Sequence, residues 1–488
     1  MISPADFALL PASVARPTYD RSRLTAGIAH FGIGGFHRSH QARYLDELLE
    51  RGEASDWAIL GIGLLPQDAR MRDVMRSQDH AYTLVLKHPD GRSEARVIGS
   101  IVDYLFAPDD PGAVIERLAD PAIRIVSMTV TEGGYNISPA TSEFDESAEG
   151  VVHDLTYPSA PRTVFGLVIE ALRVRRERGI EPFTVLSCDN MAGNGDVARR
   201  TFSAFAALRD PELGAWVLDT VAFPNSMVDR ITPQTTDEDR AELASRYGIE
   251  DAWPVVAESF TQWVIEDRFS LGRPPWERVG AQLVQDVTPY ELMKLRLLNA
   301  SHQALGYFGS LMGYHWVHEA ATDPLITRLL ERYWAEEAIP TLPPVPGVDL
   351  RAYTNTLLER YRNPAIRDTL ARLCAEASDR IPTFLLPVVR AELAVGGPVE
   401  LSAAVVASWA RYAEGVDDQG APIQIVDARR ERLMSAARRQ HDDPTAFIED
   451  AELFGNLAEQ ESFVRPYLRA LDLLHSGTAG EALEALLE

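Results

Sequence analysis

Residues 28–31 form a short apolar run, and residues 37–49 place Ala42, Leu45, Leu48 and Leu49 at helical spacing. Between them stands Gly32-Ile33-Gly34-Gly35. A strand that turns into a helix within four residues needs backbone conformations that glycine adopts most readily. Such a junction near the start of a chain points to a strand–turn–helix unit of a parallel sheet. Further apolar runs at 57–62, 123–130 and 184–187 alternate with helical patterns near 111–118 and 164–178. This alternation predicts an α/β fold, with a Rossmann-type, doubly wound, mainly parallel sheet covered by helices.

The pattern changes near Pro289. From there the chain reads mainly α-helical, with examples at 367–377, 399–414 and 480–488 and a proline-rich loop at 340–346. A length of 488 residues calls for more than one domain. The expected division is a Rossmann-type α/β domain over 1–286 and a mainly helical domain over 287–488.

Several partner classes are disfavoured. A net charge of −25 repels nucleic-acid phosphates and anionic membranes and favours solubility. Cys188 and Cys374 are the only cysteines, too few for a disulfide framework or a thiolate metal site. They fit a reducing, cytoplasmic location. Residues 1–20 lack the basic-then-apolar layout of a signal peptide, and no uncharged apolar run approaches membrane-spanning length.

The glycine turn resembles a dinucleotide fingerprint. Gly32 would allow the tight turn, and Gly34 would let the backbone approach a pyrophosphate. Ile33, Gly35 and Phe36 complete the loop. The third fingerprint position holds His37 rather than glycine, so a plain strand-to-helix turn stays open as an alternative. The acidic residue expected on the adenosine ribose is Asp68, which lies beyond the usual spacing and would favour NAD over NADP. A helix N-cap is the alternative reading of Asp68, and Arg70 and Arg72 lie close by.

A second constellation starts at Thr288-Pro289, where Thr288 can cap a helix and Pro289 suits its first turn. At about 100° per residue, Glu291, Lys294, Asn299 and His302 fall within an arc of about 140°. Leu295 and Leu298 share that arc, so the face is partly apolar. A buried lysine loses proton affinity and becomes available as a base. An asparagine amide can donate to a developing alkoxide, and a histidine can orient the same hydroxyl. Taken singly, Lys294 also reads as a surface lysine and His302 as a structural histidine. The Tyr290/Lys294 spacing matches the pair of short-chain dehydrogenases, but it lies far from the glycine turn and Tyr290 sits in the first helical turn. His318-Glu319 lacks the second histidine of a helical zinc motif. No metal is expected, and proton transfer falls to side chains.

With these residues in hand, the chain resembles the mannitol dehydrogenase family of polyol-specific long-chain dehydrogenases. The resemblance runs along nearly the whole chain. It rests on the stretch from His30 to His40, Thr131-Glu132-Gly133-Gly134-Tyr135, Ser187-Cys188-Asp189-Asn190, the stretch from Phe223 to Ile231, and the Lys294 helix. It implies metal-independent hydride transfer between a polyol carbon and NAD, in a cleft between the two domains. By this resemblance Lys294 is the general base, Asn190 and Asn299 stabilise the oxyanion, and His302 binds substrate. Glu291 lines a proton path, while Asp229, Arg372 and Arg380 contact the outer hydroxyls. D-mannitol and D-fructose are the implied pair. D-arabinitol and the hexuronates fructuronate and tagaturonate are the alternatives. The family pattern has lysine at Arg380 and glutamate at Gln67, which bear on substrate and cofactor choice respectively. A monomer is implied. A silent dinucleotide-binding sensor would need the glycine turn but not the Lys294 set.

Overall fold

The computed structural model describes residue 2, residues 4–137 and residues 143–488, with residues 4–6 described as backbone only. The reading of residues 1–20 therefore lies partly outside the described residues. Two compact units are present: Met1–His88 with Arg92–Thr288, and Pro89–Gly91 with Pro289–Glu488.

The first unit is built on five strands, β1 (Ala26–Phe31), β2 (Ala58–Gly63), β3 (Ile101–Phe106), β4 (Ile125–Met128) and β5 (Thr184–Ser187). They pair in parallel in the order β3-β2-β1-β4-β5. That order reverses beside β1, the switch point where doubly wound sheets place their ligands. Every residue of β1 and β2 is buried, which is why these strands read as unbroken apolar runs. Alternate residues serve opposite faces. Ala29 and Phe31 pack with Leu60, Val126 and the helix Val164–Glu177, whereas Ile28 packs with Leu45, Ile59 and Ile125.

Two smaller sheets were not foreseen. Val14–Ala15, Ser93–Ile98, Tyr82–Lys87 and Val255–Glu258 form one, in that order. Gln282–Val284, Gln262–Glu266 and Ser226–Asp229 form the other. Their strands are short and carry charged residues such as Glu94, Arg96, Asp229 and Glu266, which break the apolar signal.

The helix expected over 37–49 is two helices, α1 (Gly35–Ser39) and α2 (Gln41–Glu50), broken at His40 with φ −114° and ψ −94°. The Arg230 guanidinium takes the Ser39 carbonyl that a continuous helix would use, and His40 Nε2 bonds the Gln262 carbonyl.

The second unit is helical. Among the described residues its β pairing is limited to the isolated bridges Trp316–Thr369 and Val416–Pro422. The helices expected near 399–414 and 480–488 span Glu400–Tyr412 and Ala479–Leu487. The one expected over 367–377 is shorter, Leu370–Cys374. Thr369 caps it by accepting from Arg372 N, while Arg367 and Glu376 on either side adopt positive φ. No helix among the described residues is long and apolar enough to cross a membrane.

Candidate active site

The Lys294 segment is not one uniform helix. A first helix, α3 (Thr288–Met293), passes into a π-helical turn over Lys294–Asn299 and then into α4 (Ala300–Leu311). At its start the Thr288 N–H donates to Asp286 Oδ1 at 2.9 Å. Five residues apart on an α-helix, side chains diverge by about 140°. A turn closed by i→i+5 hydrogen bonds brings such residues back towards one side. The widening therefore draws together Lys294 and Asn299, the two ends of the arc read from the sequence.

Side chains of other helices stabilise this turn. Tyr333 Oη donates to the Arg296 carbonyl at 3.0 Å, and Trp334 Nε1 donates to that of Leu297 at 2.8 Å. The Leu298 carbonyl accepts from Ser301 Oγ at 3.0 Å and Tyr361 Oη at 3.1 Å. Carbonyls that widening frees from α-helical pairing thus keep partners.

Glu291, Lys294 and Asn299 are 8%, 6% and 7% exposed. The Asn299 Oδ1 is buried without a hydrogen-bond partner. Leaving a buried amide oxygen unsatisfied costs about 1–3 kcal/mol, a cost that a polar ligand would relieve. His302 is half-buried and lies 5.2 Å from the Tyr361 ring. Burial, and then the charges of Arg372, Arg360, Arg380 and Lys294, hold its pKa well below the ordinary value. His302 is therefore a neutral hydrogen-bonding group near pH 7.

Arg372 and Arg380, the residues expected at the outer hydroxyls, have protein partners. Arg372 Nε donates to Asp368 Oδ1 at 2.6 Å and a second nitrogen reaches Oδ2, a bidentate pair. Arg380 Nη1 donates to the carbonyls of Arg372 and Leu373 at 3.1 and 2.9 Å.

In the first unit, Gly32 has φ +86°, and a Cβ there would lie 2.3 Å from the Thr129 carbonyl oxygen. Only glycine fits. At Gly34 a Cβ would meet nothing within 4 Å, so the outer side of the loop is open to a ligand. Beneath the loop runs a buried polar chain. Thr129 Oγ1 donates to the Gly32 carbonyl at 2.7 Å, and His30 contacts Thr129 through Nε2 at 3.1 Å and Ser127 through Nδ1 at 2.7 Å. With Thr129's hydrogen spent on Gly32, His30 donates from Nε2 and accepts at Nδ1. Ser127 Oγ also lies 3.0 Å from the Gln41 amide.

His37, the departure from the fingerprint, stacks on His30 at 3.5 Å. A flat ring pair fills the place where glycine would let the helix approach the strand. His30, His37 and His40 are at most 1% exposed. Burial holds all three pKa values low, to about 3 for His30 and His40. In the unfolded chain they titrate near 6.5. Between about pH 3 and 6.5 the unfolded state therefore binds more protons, and stability falls as pH falls. Each such histidine contributes about 1.4 kcal/mol per pH unit in that window. Urea unfolding at pH 7 and pH 5 should show a marked loss of stability, and His37→Phe should reduce that loss. An unchanged slope would contradict a neutral buried ring.

Asp68 does not cap the helix that follows. Its Oδ2 accepts from the N–H groups of Leu64 and Leu65, both at 2.9 Å. It fixes the loop after β2 and leaves an anionic group there.

Asn190 follows β5 and is exposed, on a rigid base. The buried Asp189 accepts from Val130 N at 3.2 Å, Thr131 N at 2.8 Å and Tyr135 Oη at 2.7 Å. Thr131 takes φ +63°, costly for a threonine. Asn194 Nδ2 bonds the carbonyls of Asp189 and Ser226 at 3.0 and 2.7 Å. Three sequence motifs thus lock one another at the carboxyl ends of β4 and β5. Asp229 is 6% exposed and ends the strand paired with Gln262–Glu266. Ser127, Thr129, Asp189 and Asn194 went unassigned in the sequence. Asp189 had a signal, standing beside Asn190 in its motif.

Comparison with known proteins agrees with both units. Residues 26–278 match the mannitol dehydrogenase Rossmann domain, and residues 286–474 match the mannitol dehydrogenase C-terminal domain. A mannitol 2-dehydrogenase of Aspergillus fumigatus is 47% identical over 468 residues, 94% of this chain and 93% of the relative. A mannitol dehydrogenase of Saccharomyces cerevisiae is 45% identical over 475 residues, 97% and 94% of the two chains. The solved Pseudomonas fluorescens mannitol 2-dehydrogenase, a ternary complex with NAD and D-mannitol, is 44% identical with a TM-score of 0.89, covering 100% of this chain and 99% of that one. A substrate-free D-sorbitol dehydrogenase is 37% identical with a TM-score of 0.91, covering both chains fully.

Proposed function

The chain belongs to the mannitol dehydrogenase family, and from that premise we propose that it interconverts D-mannitol and D-fructose with NAD. The observation that carries the reading is the π-helical turn that buries Lys294 and Asn299 together and leaves Asn299 Oδ1 without a partner. The open loop at Gly34 and the anionic Asp68 fit a dinucleotide without a 2′-phosphate.

NAD supplies the acceptor for the hydride that leaves C2 of the polyol. Uncharged Lys294 takes the C2 hydroxyl proton at Nζ. As charge grows on the oxygen, the amides of Asn299 and Asn190 donate to it. Neutral His302 orients the hydroxyl, and Glu291 passes the proton from Lys294 towards solvent. Asp229, Arg372 and Arg380 serve the outer hydroxyls. Arg372 already shares its charge with Asp368, which disfavours a hexuronate carboxylate in its place.

A panel of mannitol, arabinitol, sorbitol, fructose and fructuronate with NAD and NADP, followed by absorbance, tests the assignment. Mannitol and fructose with NAD should give the highest kcat/KM; higher values for arabinitol or fructuronate would overturn it. Arg380→Lys should change KM for mannitol more than KM for NAD, and an unchanged substrate profile would remove Arg380 from the pocket. Turnover should survive prolonged EDTA treatment, whereas loss restored by zinc would contradict proton transfer by Lys294 without a metal. The reading also takes the protein as a cytoplasmic monomer, in keeping with two buried free thiols; light scattering checks the mass in solution.

A further inference from the structure

Away from the Lys294 turn, three helices of the second unit bring together ligands that the proposed reaction does not use. Glu414 follows α5 (Glu400–Tyr412), His441 follows α6 (Arg430–Arg439), and His475 lies in the last turn of α7 (Glu461–Ser476). His475 Nε2 is 2.8 Å from Glu414 Oε1, and His441 Nε2 is 3.5 Å from the same oxygen. One ligand atom from each residue lies within 4.8 Å of the others. Around a tetrahedral zinc ion with bonds near 2.0–2.1 Å, ligand atoms stand about 3.3 Å apart. The observed separations bracket that value; the His441 and His475 rings stack with centroids 4.7 Å and planes 27° apart, so binding an ion turns the exposed His441 ring to aim its lone pair at the metal.

Neighbouring groups hold the carboxylate for this role. Gln440 Nε2 donates to Glu414 Oε1 at 2.6 Å and also to the Ala410 carbonyl at 3.3 Å. Arg411 pairs with the other oxygen, Oε2, at 3.2 Å. These outer partners orient the carboxylate as they do in metal sites. Arg411 opposes a cation electrostatically, yet it acts through the oxygen that faces away from both histidines' contacts. Two imidazoles and one carboxylate suit a borderline divalent ion such as Zn²⁺, and not Mg²⁺ or Ca²⁺, which prefer all-oxygen shells.

We propose that Glu414, His441 and His475 form a peripheral Zn²⁺ site that staples the ends of α5, α6 and α7, independent of the chemistry at Lys294. Its fourth position is open to water or an exogenous ligand.

The test uses the full chain and ZnCl2. Calorimetric titration should show one saturable equivalent that is lost, or weakened more than about tenfold, in His441→Ala and in His475→Ala. Zinc should raise Tm in the unaltered protein and not in the variants. His441 has a side chain 60% exposed, so His441→Ala should keep its circular dichroism and its turnover with mannitol. Equal stoichiometry and affinity in the unaltered protein and both variants would overturn the site. So would a Tm rise that persists in them.

Discussion

Lys294→Ala should lower kcat for mannitol oxidation by about 10²–10⁴-fold, the contribution expected of a positioned general base. Its Kd for NADH should stay nearly unchanged. The turn that carries Lys294 belongs to the second unit. The glycine loop, the polar chain beneath it and Asp68 all belong to the first. The substitution removes a buried amine without disturbing the carbonyl partners Tyr333, Trp334 and Tyr361 that stabilise the turn. Steady-state kinetics and NADH fluorescence titration separate the two effects. Parallel losses in both would make Lys294 a structural residue instead.

Asn190→Ala should lower kcat by about 10²–10³-fold, the usual effect of removing one oxyanion donor. Its KM for NAD should move little. Folding should be preserved, because Asn190 is exposed and the anchor's bonds run through Asp189 and Asn194. Asp189 holds Val130, Thr131 and Tyr135, and Asn194 holds Asp189 and Ser226. Thermal unfolding should therefore match the unaltered protein. A fall in Tm with an unchanged kcat would assign Asn190 to the fold and leave Asn299 as the donor.

Much of the scaffold is legible in the sequence because parallel strands are buried on both faces. The runs at 28–31, 57–62 and 184–187 stand out for that reason, and Gly32 marks a turn where a Cβ would strike the Thr129 carbonyl. The smaller sheets are hidden because their strands are short and charged. The break at His40 depends on Arg230 and Gln262, nearly 200 residues or more away in sequence. The Lys294 turn is the clearest case. Met293 to Asn299 reads as ordinary helix, and the pattern gives the four side chains an arc and no more. What widens the turn is supplied by Tyr333, Trp334 and Tyr361, which no local pattern connects to it. The same holds for His37, which reads as a flaw in a fingerprint until its ring is found stacked on His30. Asp68 stands in the loop after β2, where its bonds to Leu64 and Leu65 are a tertiary fact.

The pH dependence of kcat/KM for mannitol, measured with and without added primary amine, bears on the base itself. In the unaltered protein the rate should fall on the acid side through a single ionisation, as the base takes up its proton. In Lys294→Ala that limb should disappear, and methylamine should restore part of the turnover. If Lys294→Ala keeps the same acid limb and gains nothing from amine, Lys294 is not the group that takes the proton.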